Sequence, residues 1–263
     1  MLKDVVRGFI LQLRFLTRIP VPIKMDHDDR AFAAGVVFAP VIGLLIGLMM
    51  AGAYILFGLL EKRPLAVLVA LAAEAALTGG LHLDGLADTF DGLFSYRQRE
   101  RALAIMRDSR LGASGAIGLF MVLLVKYVML LLLSDSQIIS CLIAMPVLSR
   151  MTIAWSAGLL PYARKNEKSM TAALIEHTGT LEIVISTLLA VLISALFLKL
   201  AAVPLLMIII AFTLLMNLYM KFRIGGITGD TIGAVIELSE IFFILSVLIL
   251  DAVYSRLHMV FIR

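Results

Sequence analysis

The sequence predicts an all-α fold: a polytopic membrane helix bundle with about seven transmembrane helices and an N-terminal interfacial amphipathic helix. Of the 263 residues, 61% are hydrophobic and 16% are charged, and the mean hydropathy is +1.02. A soluble domain averages about 45–50% apolar and about 25% charged residues. The apolar residues also gather into segments near the roughly 20 residues that a bilayer-spanning helix needs. We therefore expect a single integral membrane domain over residues 1–263.

The first expected element is a basic amphipathic helix over residues 2–18. Apolar residues recur there at helical spacing, and the lysine and arginines lie mostly elsewhere around the helix. A helix of this kind lies in the headgroup region of a membrane, and Pro20 and Pro22 end it. The alternative function of the same segment is an arm that binds an anionic substrate.

Seven apolar segments follow, each near the length of one bilayer crossing. The sequence shows no internal repeat and no linker typical of a soluble domain between them. We predict spans at residues 33–57, 65–81, 111–133, 138–160, 181–198, 201–220 and 234–253.

The lysines and arginines of the short loops predict the orientation, because cytoplasmic loops retain them. Residues 1–32 and the loops 82–110, 161–180 and 221–233 together carry sixteen, and the alternate set of loops carries five. The N-terminus and these polar loops are therefore expected in the cytoplasm, and seven spans would place the C-terminus outside. The net charge of +4 follows from this loop pattern and gives no reason to expect nucleic acid as a partner.

Residues 81–110 form a charged island between apolar spans. Asp84, Asp88 and Asp91 stand at i, i+4 and i+7, so a helix would place their carboxylates within one narrow arc. Like charges placed so close repel each other, which indicates a bound cation. Magnesium prefers carboxylate oxygens and leaves coordination positions for substrate phosphates. We predict that these three residues and Asp108 hold Mg²⁺ and act in catalysis, with a merely solvated loop as the alternative.

Residues beside the aspartates are further candidates for substrate binding. Gly85 and Gly92 lack side chains and would let a substrate approach the backbone. Arg107 and Arg110 flank Asp108, and guanidinium groups suit phosphate recognition. Loop arginines also satisfy the positive-inside rule without any ligand.

Two more candidates come from other segments. His82 precedes Asp84 by two residues and can hold substrate, act as a base, or make one structural hydrogen bond. The glycine-rich stretch 225–230 ends in Asp230, just before the last span. Freed glycine amides can cradle an anion there, and Asp230 could add a metal ligand.

Ionisable side chains also fall inside predicted spans. Such residues are costly in a membrane and suggest function. Mutual ion pairing without a catalytic role and the coupling relay of a secondary transporter are the two interpretations. A transporter would also show inverted repeats and broken helices at corresponding positions, and the sequence shows neither clearly. The residues are Lys126, Arg150, Glu237 and Glu240.

Four motifs resemble one known family. They are FLTRIPVP at 15–22, GGLHLDGLADTFDGL at 79–93, ALAIMRDSRLGASGA at 102–116 and GGITGDTIGA at 225–234. They are similar to the cobalamin synthase family, the adenosylcobinamide-GDP ribazoletransferases of bacteria and archaea. The resemblance covers nearly the whole chain.

The resemblance implies a multi-pass enzyme of the bacterial cytoplasmic (inner) membrane with a cytoplasmic active site. It implies magnesium-dependent transfer of the adenosylcobinamide-phosphate group from adenosylcobinamide-GDP to α-ribazole or its 5'-phosphate. GMP is released in this last assembly step of cobalamin biosynthesis. The implied partners are the two substrates and the lipid bilayer. The sequence leaves the oligomeric state open, a homo-oligomer included.

The acidic motif is similar, more distantly, to that of CDP-alcohol phosphotransferases, which place carboxylates of two neighbouring membrane helices around a dimetal site. Asp88, Asp91 and Gly92 fit the opening of that pattern, and Asp108 fits its later carboxylate. Residues 93–96 stand where that pattern has an alanine–arginine pair. A CDP-alcohol phosphotransferase acting on a lipid or polyol acceptor is therefore the alternative enzyme.

Overall fold

Helices joined by short turns make up the structure, as the all-α prediction requires. The computed structural model describes residues 2–94, 98–164 and 168–261, with side chains between residues 4 and 253 of those ranges. Two 3₁₀ turns, Gly35–Phe38 and Lys199–Ala201, precede the third and eleventh helices. The helices are α1 (Leu2–Leu16), α2 (Asp29–Ala34), α3 (Ala39–Gly58), α4 (Arg63–Thr78), α5 (Leu81–Leu93), α6 (Arg99–Ile105), α7 (Ala113–Leu132), α8 (Asp135–Leu159), α9 (Met170–His177), α10 (Thr180–Leu198), α11 (Ala202–Ile224) and α12 (Gly229–Phe261).

Several helical stretches are long and apolar enough to cross a bilayer. Among the described residues there are five, and a sixth if α4 and α5 form one span that bends by 89° between them. The chain is therefore a multi-span helical membrane protein, and the predicted number of seven stays a prediction. The five stretches are Asp29–Gly58, Ala113–Leu132, Asp135–Leu159, Thr180–Ile224 and Gly229–Val253.

The N-terminal helix α1 packs on α2 and the turn that follows it. The two backbones approach closely at Gly8 and Gly35, where an added Cβ would meet main-chain atoms of the other segment. The buried amide of Gln12 donates a 2.8 Å hydrogen bond to the carbonyl oxygen of Phe32, and Phe15 packs edge-on against the Phe32 ring. One face of α1 is thus covered by protein. An interfacial position on the membrane stays a prediction.

Helix α8 forms the centre of the bundle and packs along α3. A Cβ on Gly47 would lie 2.5 Å from the carbonyl oxygen of Ile143, and one on Gly43 would collide with that of Pro146. Small residues let membrane helices approach closely enough for backbone contact, which is a main source of their packing energy. The sequence of α3 therefore fixes how tightly it packs on α8.

A group of charged side chains lies buried where four helices meet. Lys126 of α7 contacts Glu74 of α4 and Glu237 of α12 at 3.0 and 3.1 Å, and it also pairs with Glu240. Arg150 of α8 contacts Glu74 at 2.8 Å and pairs with Glu240. We call these five residues the ionic cluster.

The ionic cluster shows how the intramembrane charges are arranged. The four residues singled out in the sequence pair with one another, so mutual ion pairing is confirmed. Glu74 is a fifth member that the sequence analysis missed, although the rule that selected the others applies to it equally. Removing one partner of a buried ion pair leaves an uncompensated charge in the interior and strongly destabilises a protein. Each member of the ionic cluster therefore depends on the others.

Removing one cation from the ionic cluster is expected to destabilise the whole bundle. Arg150→Met leaves Glu74 and Glu240 short of a partner, and such changes cost about 3–5 kcal/mol. The measurement is the thermal unfolding midpoint of the detergent-solubilised protein. Lys221→Met, on an exposed lysine of α11, is the matched control and should melt like the unaltered protein. Equal midpoints for both variants would contradict a stabilising role for the cluster.

Candidate active site

The predicted acidic helix exists and begins at a sharp bend. Gly79 and Gly80 have φ angles of 63° and 72°, left-handed values that favour glycine, and they turn the chain between α4 and α5. Helix α5 then carries Asp84, Asp88 and Asp91 at the predicted helical spacing. The two glycines thus separate the largely apolar helix α4 from one that carries carboxylates.

Close packing of α5 against α12 brings a fourth carboxylate to this helix. A Cβ on Gly85 would lie 2.8 Å from the carbonyl oxygen of Asp230, and one on Gly233 would lie 3.1 Å from that of His82. The missing side chain of Gly85 makes room for α12, and Gly85 also lines the cavity beside Asp84 and Asp230, so the predicted approach of a substrate to its backbone stays a prediction. The contact with α12 places Asp230 beside the acidic face of α5.

The four carboxylates form a surface of concentrated negative charge. The strongest electrostatic neighbours of Asp88 are Asp230, Asp84 and Asp91, followed by the cation Arg164. Arg164 donates a 2.8 Å hydrogen bond to Asp230, which also accepts one from the Thr228 hydroxyl at 3.2 Å. We call Asp84, Asp88, Asp91 and Asp230 the acidic surface.

Asp91 also holds the start of α7. Its two carboxylate oxygens accept hydrogen bonds from the backbone N–H groups of Gly112 and Gly115, at 2.7 and 2.8 Å. These N–H groups lie at the beginning of the helix, where no intrahelical partner exists. Gly92, the next residue, faces Met106 and the carbonyl of Ala102, so its missing side chain makes room for protein. Substrate approach at Gly92 stays a prediction.

Asp108 lies on the loop between α6 and α7 and is bound to Arg110. The guanidinium of Arg110 donates from Nε at 2.9 Å and from Nη2, and the backbone N–H of Arg110 donates at 3.1 Å. These bonds lower the pKa of Asp108 to about 2. Arg107 lies in the turn after α6 and lines a cleft with Arg99 and Arg164. The structure therefore separates Arg107 from the Asp108–Arg110 pair.

His82 is buried between the ionic cluster and a cavity. Its side chain is 3% exposed, and neither ring nitrogen has a hydrogen-bond partner in the described part of the chain. The cavity has a volume of about 200 Å³, with Asp84, Asp230 and Thr171 among its polar lining residues. The described residues give the His82 ring no structural hydrogen bond, and its roles in holding substrate or acting as a base stay predictions.

The glycine-rich stretch before α12 is held in place by other segments. Ile227 exchanges backbone hydrogen bonds with Pro161 and Ala163, at 3.0 and 2.8 Å. At the start of α12, the backbone N–H of Thr228 donates a hydrogen bond to the hydroxyl of Thr231, and the backbone N–H of Thr231 donates one to the hydroxyl of Thr228. The N–H groups of these two threonines therefore already have hydrogen-bond acceptors within the chain. The bonds of this stretch hold Asp230 and the loop that carries Arg164 in place.

Acid oxygens crowd most closely in the ionic cluster. Within the described residues, Glu74, Glu237 and Glu240 are the group whose ligand atoms all lie within 4.8 Å of one another. Lys126 is bonded among them, so an internal cation already takes that position. Within the described part of the chain, no three residues of the acidic surface bring carboxylate oxygens equally close to one another.

The fold and the acidic surface define a multi-span membrane protein whose polar loops meet at one end of the helix bundle. A family model described as cobalamin-5-phosphate synthase matches residues 8–249. The chain belongs to that family.

Curated relatives agree with the family. The adenosylcobinamide-GDP ribazoletransferase of Alkaliphilus oremlandii is 39% identical over 94% of this chain and 99% of its own. Those of Caldanaerobacter subterraneus subsp. tengcongensis and Acetivibrio thermocellus are each 38% identical, over 90% and 91% of this chain and 95% and 96% of their own. No solved structure matches the chain.

Truncating Asp91 is expected to destabilise the protein because it removes the acceptor of two N–H groups at the start of α7. Loss of a helix-capping side chain typically costs about 1–2 kcal/mol. Asp91→Ala should lower the thermal unfolding midpoint, and Asp91→Asn, which keeps one acceptor oxygen, should lower it less. Asp84→Ala is the control, since that side chain lies exposed on the same helix. If Asp91→Ala melts like Asp84→Ala, the capping role is wrong.

Proposed function

We propose that this protein transfers the adenosylcobinamide-phosphate group from adenosylcobinamide-GDP to α-ribazole or its 5'-phosphate and releases GMP. The relatives bear the name of this activity and share almost the full length of the chain. The observation in the structure that carries the proposal is the acidic surface on α5 and α12. A phosphoryl-transfer enzyme needs concentrated carboxylates of this kind to hold a divalent cation against a pyrophosphate.

The donor set of the acidic surface fits Mg²⁺. Hard divalent cations take carboxylate oxygens and keep part of their water shell. Asp84 is exposed, and Asp88 is half-buried with three other carboxylates and one cation as its strongest neighbours. Asp84, Asp88 and Asp230 would hold the ion, Asp230 through Oδ1, because its hydrogen bonds from Arg164 and Thr228 both reach Oδ2. The oxygens of Asp91 and Asp108 already accept other hydrogen bonds, and metal ligation by these two residues stays a prediction.

The reaction forms a bond from a ribazole hydroxyl oxygen to the phosphorus next to the cobinamide and breaks the bond to the GMP oxygen. When bound, magnesium neutralises charge on the pyrophosphate as GMP leaves. Asp84 is exposed at the rim of the cavity and can accept the hydroxyl proton as a general base. The remaining task of the protein is to hold both substrates in line, which Asp88 and Asp230 serve from two packed helices.

His82 has a substrate-binding role in this proposal. His82 lines a cavity together with Asp84, Asp230 and apolar side chains such as Ile153 and Ile236, and its ring nitrogens have no hydrogen-bond partner among the described residues. A planar base with an attached sugar fits such a mixture of apolar walls and polar groups. The acceptor hydroxyl would then lie beside the carboxylates.

We further propose seven spans with a cytoplasmic N-terminus and active site. The stretch Thr180–Ile224 holds 45 residues, about twice the roughly 20 that cross a bilayer. It breaks at Lys199, which has a φ of 53°, and α10 and α11 are each long enough for one crossing. Counting α4 with α5 as one span then gives seven. The inner membrane of a bacterium is the proposed location.

Release of GMP tests the proposed activity. We expect purified protein to release GMP from adenosylcobinamide-GDP when α-ribazole 5'-phosphate and Mg²⁺ are present, and to stop when EDTA is added in excess. Asp88→Asn should lower kcat by about 100-fold or more, because it removes charge from the centre of the acidic surface.

Asp251→Asn is the control for this test. It changes an exposed aspartate that accepts a 3.1 Å hydrogen bond from Gln137, away from the acidic surface. This variant should keep its turnover, and all three proteins should share one unfolding midpoint. Near-normal turnover of Asp88→Asn, or turnover that EDTA leaves unchanged, would refute the assigned roles.

Cysteine labelling tests the proposed orientation. In a Cys141→Ser background, Leu60→Cys should react with a membrane-impermeant maleimide in intact cells, because the turn after α3 would lie outside. Ser109→Cys, on the loop between α6 and α7, should react only after the cells are permeabilised. The opposite pattern would reverse the orientation, and labelling of both positions in intact cells would contradict a single span between them.

A further inference from the structure

A cleft lined by arginines lies beside the acidic surface. Its volume is about 440 Å³, within the range of roughly 300–1,000 Å³ that is usual for small-molecule sites. Among the described residues, Arg99, Arg107 and Arg164 line it together with one acidic residue, Glu100. The lining therefore carries more positive than negative charge. Of these three arginines, Arg107 was predicted from the sequence to bind substrate, and loop arginines also satisfy the positive-inside rule without a ligand.

The cleft is built before any ligand binds. Arg99 donates a 3.0 Å hydrogen bond from Nη2 to the carbonyl oxygen of Ala163, and its guanidinium lies over Gly225. The backbone bonds between Ile227 and the loop at residues 161–163 fix that loop against the start of α12. Three separate segments are thus tied together around the arginines. A cluster of arginines that served topology alone would not need such fixed positions.

Arg164 joins the cleft to the acidic surface. It lines the cleft and at the same time donates a 2.8 Å hydrogen bond to Asp230. A group bound in the cleft therefore lies one side chain away from the carboxylates. Guanidinium groups recognise phosphate through paired, charge-assisted hydrogen bonds, and an acidic ligand would find the opposite charge here.

We infer that this cleft binds a substrate phosphate group and that Arg99, Arg107 and Arg164 are its binding residues. The inference rests on the proposed function for the identity of the substrates. Two sources carry the required chemistry: the guanosine diphosphate of one substrate and the 5'-phosphate of the other. In either case the arginines hold a charged part of the substrate away from the reacting phosphorus, which remains at the carboxylates.

Kinetics with two acceptors separates these sources. Arg99→Gln and Arg107→Gln are compared with Arg101→Gln, a control on the same short helix whose side chain is exposed and not among the cleft lining. If the cleft holds the guanosine diphosphate, KM for adenosylcobinamide-GDP and Ki for GMP rise about tenfold or more with either acceptor. If it holds the 5'-phosphate, KM rises for α-ribazole 5'-phosphate and not for α-ribazole. Values equal to those of Arg101→Gln for every substrate would overturn the inference.

A binding measurement keeps this test independent of turnover. Calorimetry of the purified, unaltered protein with GMP and with α-ribazole 5'-phosphate as separate titrants should detect binding of one of them. Arg99→Gln should weaken that binding about tenfold, and Arg101→Gln should not. Failure of the proposed function would appear as absence of product with the unaltered protein. Failure of the inference would appear as normal product formation and equal binding by both variants.

Discussion

The ionic cluster is the constraint on which the geometry of the site depends. Glu74 lies near the end of α4, five residues before the bend at Gly79–Gly80, and Glu237 lies seven residues after Asp230 on α12. Lys126 contacts both, so one ammonium group ties the end of α4, just before α5, to the first part of α12. Seven helical residues span only about 10 Å, which leaves Asp230 little freedom relative to α5. Because the cluster is buried, loss of any one partner would leave an unpaired charge and strongly destabilise the arrangement.

The aspartates divide into two groups by what their oxygens already contact. Asp91 and Asp108 accept hydrogen bonds from backbone N–H groups or from an arginine within the chain. Within the described residues, the side chains of Asp84 and Asp88 accept no such hydrogen bonds. The negative charge of Asp88 is repelled by three neighbouring carboxylates, Asp230, Asp84 and Asp91. Folding alone gives no reason to gather such charges, since each like-charged pair opposes it. The second group is therefore the one that a bound cation would explain.

Local sequence patterns predicted the helices and the acidic face of α5. The contacts between helices and loops depend on residues far apart in the chain, which local patterns do not predict. The spacing of Asp84 and Asp88 determines their shared face, whatever α5 packs against. The sequence alone does not show whether a glycine such as Gly85 makes room for another helix, and here the close approach of Asp230 on α12 shows that it does. The partner of Asp91 is 21 residues away at Gly112, and that of Asp230 is 66 residues away at Arg164. No pattern within one segment contains such pairings.

Opposite charges beside each other explain how one end of the bundle can handle a pyrophosphate. Carboxylates alone would repel an anionic substrate, and arginines alone would bind it without providing ligands for a cation. The bond between Arg164 and Asp230 holds the two surfaces in contact and partly neutralises the aspartate nearest the cleft. If the cleft binds the guanosine diphosphate and not the 5'-phosphate, one phosphate of that substrate would lie in the cleft and the next at the carboxylates. The order of charges along the protein would then orient this substrate, with the bond to be broken at the boundary between the two surfaces.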